Sequence, residues 1–328
     1  MILDAEERIA GLVADNAKRA RLSAVCIYAS RMKLLLFDGQ DASKPLYVAQ
    51  VGTFPELDRE DRFLRALHSA LPELVADSLG CFPWQRDEWL QVQRGLPGVP
   101  WFGLAHRLRS VAEWMDLRER AIDALRTFEV AVRRHQEWTC VLAPGRELMR
   151  EGSRSEGLGV RQSSCLRAEV ERLSGVLDEI GEIRASWQHG DFCLNNLLVS
   201  RHTVSVIDLA EFGETSMPLQ DEIGLALSLY MLAPEKARGV TLRDHLNACL
   251  CEAGALAREE YLHGFLLHDL IRRINRSHRQ VTRAAMAARL LAAAEALCAA
   301  PAQFLDDGQF LRHDSPLPAC DSLPVEIV

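Results

Sequence analysis

The chain has 328 residues, of which 48% are hydrophobic and 26% charged; these proportions exclude a disordered or collagen-like polymer and suffice for about two lobes or domains. With 38 Lys and Arg against 46 Asp and Glu, the net charge is −8, which argues against a protein that holds nucleic acid by its phosphates. Nine cysteines, scattered and never spaced Cys-x-x-Cys, argue against a zinc site or a disulfide framework and leave reduced thiols as the expectation.

Residues 4–20 place Ile9, Leu12, Val13 and Ala17 at helical spacing and predict an amphipathic helix; without a basic start or a continuous apolar run, the segment does not read as a signal peptide. The period then shortens. Residues 24–28, 33–37 and 46–51 are short apolar stretches separated by polar turns, and predict consecutive antiparallel strands. Residues 55–71, opened by Pro55, Glu56 and Asp58, predict a helix. Apolar runs at 79–84 and 89–92 precede Gly95-Leu96-Pro97-Gly98, a predicted hinge. Helical periodicity follows at 111–138 and 165–183, whereas 144–161, rich in Gly and Ser, reads as a loop. Residues 186–213 are the one predicted break in this helical half, with short strands at 197–199 and 204–209. Helices resume from Asp221 to about Leu297, and the tail from about Gln309 reads as extended. Arg283, Arg289 and Glu295 interrupt the longest apolar run, so no membrane span is predicted and the expected location is cytoplasmic. The pattern predicts an α+β fold of two lobes: residues 1–94 with a small antiparallel sheet, residues 95–308 mainly helical, and 309–328 a tail.

Chemistry concentrates in His189-Gly190-Asp191-Phe192-Cys193-Leu194-Asn195-Asn196, followed by Val206-Ile207-Asp208 and Gly213. Phosphoryl transfer needs hard oxygen ligands for Mg²⁺ and a carboxylate that orients or deprotonates the attacking hydroxyl. Asp191, Asn196 and Asp208 supply groups of those types.

These segments resemble the HGD-x-x-x-x-N and ID-x-x-x-x-G signatures of the aminoglycoside phosphotransferase and choline kinase-like families, which share the bilobal protein-kinase-like fold. The resemblance implies that Asp191 is the catalytic base, that His189 organises its loop, and that Asn196 and Asp208 hold Mg²⁺. More weakly, it extends to residues 46–51 as the third small-lobe strand, to Glu60 on the following helix, and to the hinge at residues 91–98, including Gln93 and Gly95, against the nucleotide. It implies a nucleotide-binding first lobe and a catalytic, acceptor-binding second lobe. The expected activity moves the γ-phosphate of ATP or GTP to a hydroxyl of a small acceptor such as an aminoglycoside, amino alcohol or sugar. The acidic balance leans toward a cationic acceptor, with Glu222, Glu259, Glu260 and Asp269 available after Met217. Neither nucleic acid nor membrane is an expected partner. Asp221 matches the acid that opens the family's next helix, although N-capping explains it equally.

One position departs from the pattern. Where the family has lysine, the third strand reads Val48-Ala49-Gln50, and an amide brings no charge to the α/β-phosphates. Lysine occurs only at 18, 33, 44 and 236, so a substitute in the small lobe is Lys33 on the preceding strand, Lys44, Lys18 or an arginine; Lys33 is the best placed if it points inward on a face with Leu35 and Phe37 while Leu34 points outward, and is otherwise a solvated side chain at a strand start. No Gly-x-Gly-x-x-Gly lies between the first strands, and the turn at residues 29–31 takes its place. The alternative is a degenerate kinase-fold protein that binds a ligand without turnover.

Overall fold

The computed structural model describes residue 11 and residues 22–28, 31–38, 44–104, 108, 110–134, 139–154, 164–213, 215–277 and 284–307. Apart from Gly11, the predicted opening helix lies outside the described residues, as does the tail. In chain order the elements are β1 (Leu22–Tyr28), β2 (Met32–Asp38), β3 (Tyr47–Thr53), α1 (Phe54–Ala70), β4 (Ser78–Gln85), β5 (Glu88–Arg94), β6 (Val99–Pro100) and α2 (Trp101–Leu104). They continue with α3 (Val111–Arg133), β7 (Thr139–Leu142), α4 (Pro144–Arg154), α5 (Ser164–Asp178), β8 (Ile183–Ser186), β9 (Leu197–Val199) and β10 (Val204–Val206). The last helices are α6 (Gln220–Met231), α7 (Leu242–Cys249), α8 (Glu259–Ser277), α9 (Ala284–Ala299) and α10 (Pro301–Asp307). The chain forms two compact units, one from the segment up to Leu104 with Asn195–Ala210, the other from Ala105–Leu194 and Glu211–Asp314.

Alternation organises the first unit. Its sheet is antiparallel throughout, in the order β1-β2-β3-β5-β4. Leu34 and Leu36 on β2, Ala49 and Val51 on β3, and Leu90 and Val92 on β5 are buried with Trp84 in one core, as the two-residue period of a strand requires. The expectation that Leu34 points outward is thus corrected. Leu34 belongs to this buried cluster, and alternation sends Lys33 from the opposite, half-buried face of the sheet. α1 buries Leu57, Glu60, Asp61, Leu64 and Leu67, a stripe at helical spacing, with Pro at its start and Glu56 in its first turn. A second sheet, ordered β10-β9-β6, carries residues 197–206 in the same unit; Val206 N–H donates to Leu74 O at 2.8 Å.

The second unit is helical around α8, whose Phe265, Leu266, Leu267, Leu270, Ile271 and Ile274 are buried and which packs on α4, α5 and α9. Two expectations are corrected here. Residues 144–154 form a helix, not a loop: Pro144 starts it without a lost hydrogen bond, and Gly145 permits a close helix crossing, since a Cβ there would meet Asp178 Oδ1 at 2.1 Å and Ser174 O at 2.5 Å. The predicted helix at 165–183 stops at Asp178, and Ile183 begins β8, which pairs with β7; a strand of four residues is too short to show its period. Among the described residues no helix is long and apolar enough to cross a membrane, and the described cysteines are free thiols.

A carboxyl pair, Glu222 buried and Glu129 half-buried, links α3 to α6. Glu222 is fully enclosed and hydrogen-bonded to Glu129, which also pairs with Arg133 at 3.1 Å. Burial pushes both carboxyls up, Glu129 to about 7, with the like charge of Glu129 adding to the effect on Glu222; Asp221 and Glu252 also raise Glu129. The two carboxyls titrate as a pair, and at intermediate pH one proton lies between them. A carboxyl raised in the folded state stabilises fully below its unfolded value of 4.5, and that contribution is lost as pH rises through about 7. Glu222→Gln retains a donor to Glu129 and is expected to flatten this fall by roughly 1–2 kcal/mol. Urea unfolding at pH 5 and pH 8 checks it; an unchanged difference between the two pH values refutes the assignment.

Candidate active site

Each unit contains part of the predicted set. In the first unit, register brings three polar side chains into one cross-strand row: Lys33 lies opposite Gln50, and Gln50 opposite Gln91. Directly opposed residues on adjacent strands have Cβ atoms about 5 Å apart, so Lys33 stands one strand from the position where β3 has its polar amide. Lys33 Nζ donates to Asp208 Oδ2 at 3.1 Å. Gln50 Nε2 donates to Glu60 Oε2 and lies 3.3 Å from Gln91 Oε1. Glu60, only 7% exposed, also accepts from Arg31 Nη1, and Arg31 Nη2 lies 3.7 Å from Glu56. Glu60 therefore keeps a cationic partner, delivered from the residue just before β2 instead of from β3.

Asn196 and Asp208 come to the same end of the β9–β10 ribbon. Leu197 pairs with Val206, and Ile207 N–H donates to Asn196 O at 3.0 Å. Asp208 has φ +66°, an uncommon conformation for a residue other than glycine, and its side chain is 35% exposed. Gln93 lies opposite Val48 and Ser78, two residues along β5 from Gln91. Gly95 N–H donates to Leu46 O at 2.7 Å. Trp84 and Trp101 are buried, and Trp89 packs on Phe54 with ring centroids 4.3 Å apart.

The second unit holds the loop at 188–194. His189 is fully buried, its ring 5.8 Å from Phe128 and 5.6 Å from Phe192, and its Nδ1 accepts from Asp191 N–H at 3.4 Å. An enclosed ring bonded to the loop backbone suits holding the loop better than carrying protons. Asp221 accepts the N–H groups of His189 at 2.6 Å and Gly190 at 2.9 Å. Its side chain forms no cap on α6, so the N-capping expectation gives way to a loop-holding role. Gln188 Oε1 instead accepts Asp221 N–H at 2.9 Å, and Leu194 N–H donates to Ser228 Oγ at 3.1 Å. Burial raises the Asp221 carboxyl, while His189 and the two backbone N–H groups oppose the rise. Gly190 has φ +84°, and a Cβ there would meet Glu211 O at 2.7 Å, so no other residue fits the turn before Asp191.

The acidic residues expected to meet the acceptor are mostly committed elsewhere. Glu222 shares its proton with Glu129, Asp269 is buried against Arg273 at 2.6 Å, and Glu259 lies 3.7 Å from Arg243; Glu260 is exposed. Sequence reasoning did not single out Gln91, Arg31 as the partner of Glu60, or Gln188. The two-residue spacing that pairs Gln91 with Gln50 becomes a signal only once the register is known.

As for divalent cations, no group of three His, Cys, Asp or Glu side chains among the described residues could hold a metal. One carboxylate and one amide oxygen at the end of a ribbon match a hard cation that completes its shell with substrate phosphates and water. Asn196 and Asp208 fit that role by donor type.

A family model described as phosphotransferase enzyme family matches residues 46–248. Solved structures agree on the fold. The aminoglycoside phosphotransferase APH(4)-Ia superposes with a TM-score of 0.62 at 14% identity, covering 92% of this chain and 98% of that one. Choline kinase from Cryptosporidium parvum Iowa II gives 0.59 at 10% identity, with 95% and 98% covered. Amicoumacin kinase hAmiN, in complex with AMP-PNP, Ca²⁺ and Ami, gives 0.57 at 13% identity, with 88% and 95% covered. No curated protein matches the sequence. The fold is protein-kinase-like, with a five-stranded antiparallel sheet in its N-terminal part and a mainly helical remainder.

Proposed function

This chain belongs to the phosphotransferase enzyme family, and on that premise we propose that it is a kinase that transfers the γ-phosphate of ATP or GTP to a hydroxyl of a small molecule. The observation that carries the reading is the charge pattern around Gln50. Lys33, directly opposite it, presents an ammonium to Asp208, and Arg31 with Gln50 engages Glu60. An ammonium and a carboxylate brought together one strand from Gln50 are groups that phosphate and its counter-cation require, and this supports the reading.

In this reading Asp191 accepts the hydroxyl proton as the nucleophile attacks, and His189 and Asp221 hold its loop. Asn196 and Asp208 would hold a divalent cation, which when bound neutralises phosphate oxygens. Lys33 contributes positive charge toward the phosphates, Glu60 anchors Arg31 and Gln50, and Gln93 with the Gly95 carbonyl lines the nucleotide side. The acceptor is defined by its hydroxyl. With Glu222 and Asp269 already paired, its charge is what a screen must read.

The test is nucleotide consumption with ATP and with GTP, across aminoglycosides, amino alcohols and sugars, with and without Mg²⁺. Acceptor-dependent consumption that requires Mg²⁺ supports the reading, accompanied by a metal-dependent rise in melting temperature with nucleotide. No consumption, together with stabilisation by a small molecule alone, refutes it and leaves a binding protein.

A further inference from the structure

Helix α8 sends a charged side chain into the loop that carries Asp191. Arg272 is 5% exposed; its Nη2 donates to Gly190 O at 2.7 Å, its Nη1 donates to Glu211 Oε2 at 3.3 Å, and it lies 3.7 Å from Asp269 Oδ1. Gln220 Nε2 donates to the same Gly190 carbonyl at 2.9 Å, while the Gly190 N–H is taken by Asp221. The Gly190 peptide groups are thus held from both sides in a positive-φ turn, immediately before Asp191. Glu211, three positions past Asp208 in the sequence, is also paired with Arg276. Taking a guanidinium out of water is costly, and burial pulls the Arg272 pKa down while Asp269 and Glu211 counter it. Asp269 and Glu211 offset that cost, and the guanidinium they hold in place directs its Nη2 donor at the Gly190 carbonyl.

We infer that Arg272 is a positioning residue: its planar fork sets the orientation of the Gly190–Asp191 peptide and ties the loop to Glu211. The fork matters because one group must reach a carbonyl and a carboxylate together, which an ammonium does less well. The inference rests on the proposed kinase reading for its catalytic consequence, but not for its structural one.

The experiment compares wild type, Arg272→Ala and Arg272→Lys, with Arg146→Ala as an exposed control of the same chemistry. Arg272→Ala is expected to lower kcat about a hundredfold, as small misplacements of a catalytic group do, with little change in KM for nucleotide. Guanidinium chloride at low millimolar concentration should restore part of that loss and leave wild type and the control unaffected. Amide hydrogen exchange should speed up at residues 189–191, with the α8 core still protected. Arg272→Lys should fall between the two. If Arg272→Ala does not fold, Gln220→Ala, which removes the other donor to the same carbonyl, must show the same selective loss in kcat and loop protection. A folded Arg272→Ala with unchanged kcat overturns the inference, as does a loss without guanidinium rescue and without a local change in exchange. If wild type turns over no acceptor, the kinase reading fails while the exchange comparison still decides whether Arg272 holds the loop.

Discussion

Asp191→Asn is expected to reduce turnover by about 10² to 10⁴, the range that removal of a general base produces, and to leave the fold unchanged. The substitution keeps size and shape and removes the carboxylate that can take the hydroxyl proton, a charge that also faces Arg273 and Glu211. The bonds that shape the loop belong to its backbone: Asp221 accepts from His189 and Gly190, and His189 accepts from the backbone N–H of residue 191. None needs the Asp191 carboxylate. Initial rates with the best acceptor, beside circular dichroism and nucleotide affinity, separate chemistry from folding. Undiminished activity in a folded variant sinks the assignment of Asp191 as base.

The second large effect is expected at Lys33. Removing a cation aimed at transferring phosphates costs on the order of a hundredfold or more in rate. Lys33→Ala should therefore collapse kcat. Gln50→Lys should not raise it, because Lys33 already brings an ammonium to Asp208 and Arg31 already pairs with Glu60; a second ammonium one strand away would meet Lys33 as a like charge. In the double variant Lys33→Ala with Gln50→Lys, turnover should recover in part as the lysine returns to β3. If Lys33→Ala leaves turnover unchanged while Gln50→Lys raises it, the enzyme works without that charge and the relocation is wrong.

These two predictions differ in how far the sequence alone reached. Strand period, the turn residues and the signature around Asp191 and Asp208 were legible because each is written over a few adjacent positions. The alternation at 33–37 and 46–51 follows from a sheet whose core face is buried, and Pro55 with its acidic neighbours marks a helix start wherever the chain goes next. The α+β class was therefore determined by local pattern. Gly145 misled for the same reason: read locally it signals a loop, whereas in the fold it is the small residue that lets α4 approach α5.

Only the tertiary structure decided which groups meet. That Lys33 faces Gln50 depends on strand register, which is set by packing and turn geometry together. That Leu34 is buried depends on which sheet face receives the core. Asp221 reads equally as a helix cap and as the acid that opens the family's next helix until the fold brings His189 and Gly190 to it, and Arg272 reads as one arginine among many until α8 lies against the Asp191 loop. Local periodicity is fixed by the preferences of neighbouring residues, but a pairing across a long stretch of chain pays loop-closure entropy that only the packing of the whole unit repays. So the residue types of the proposed site were readable from the chain, and their partners were not.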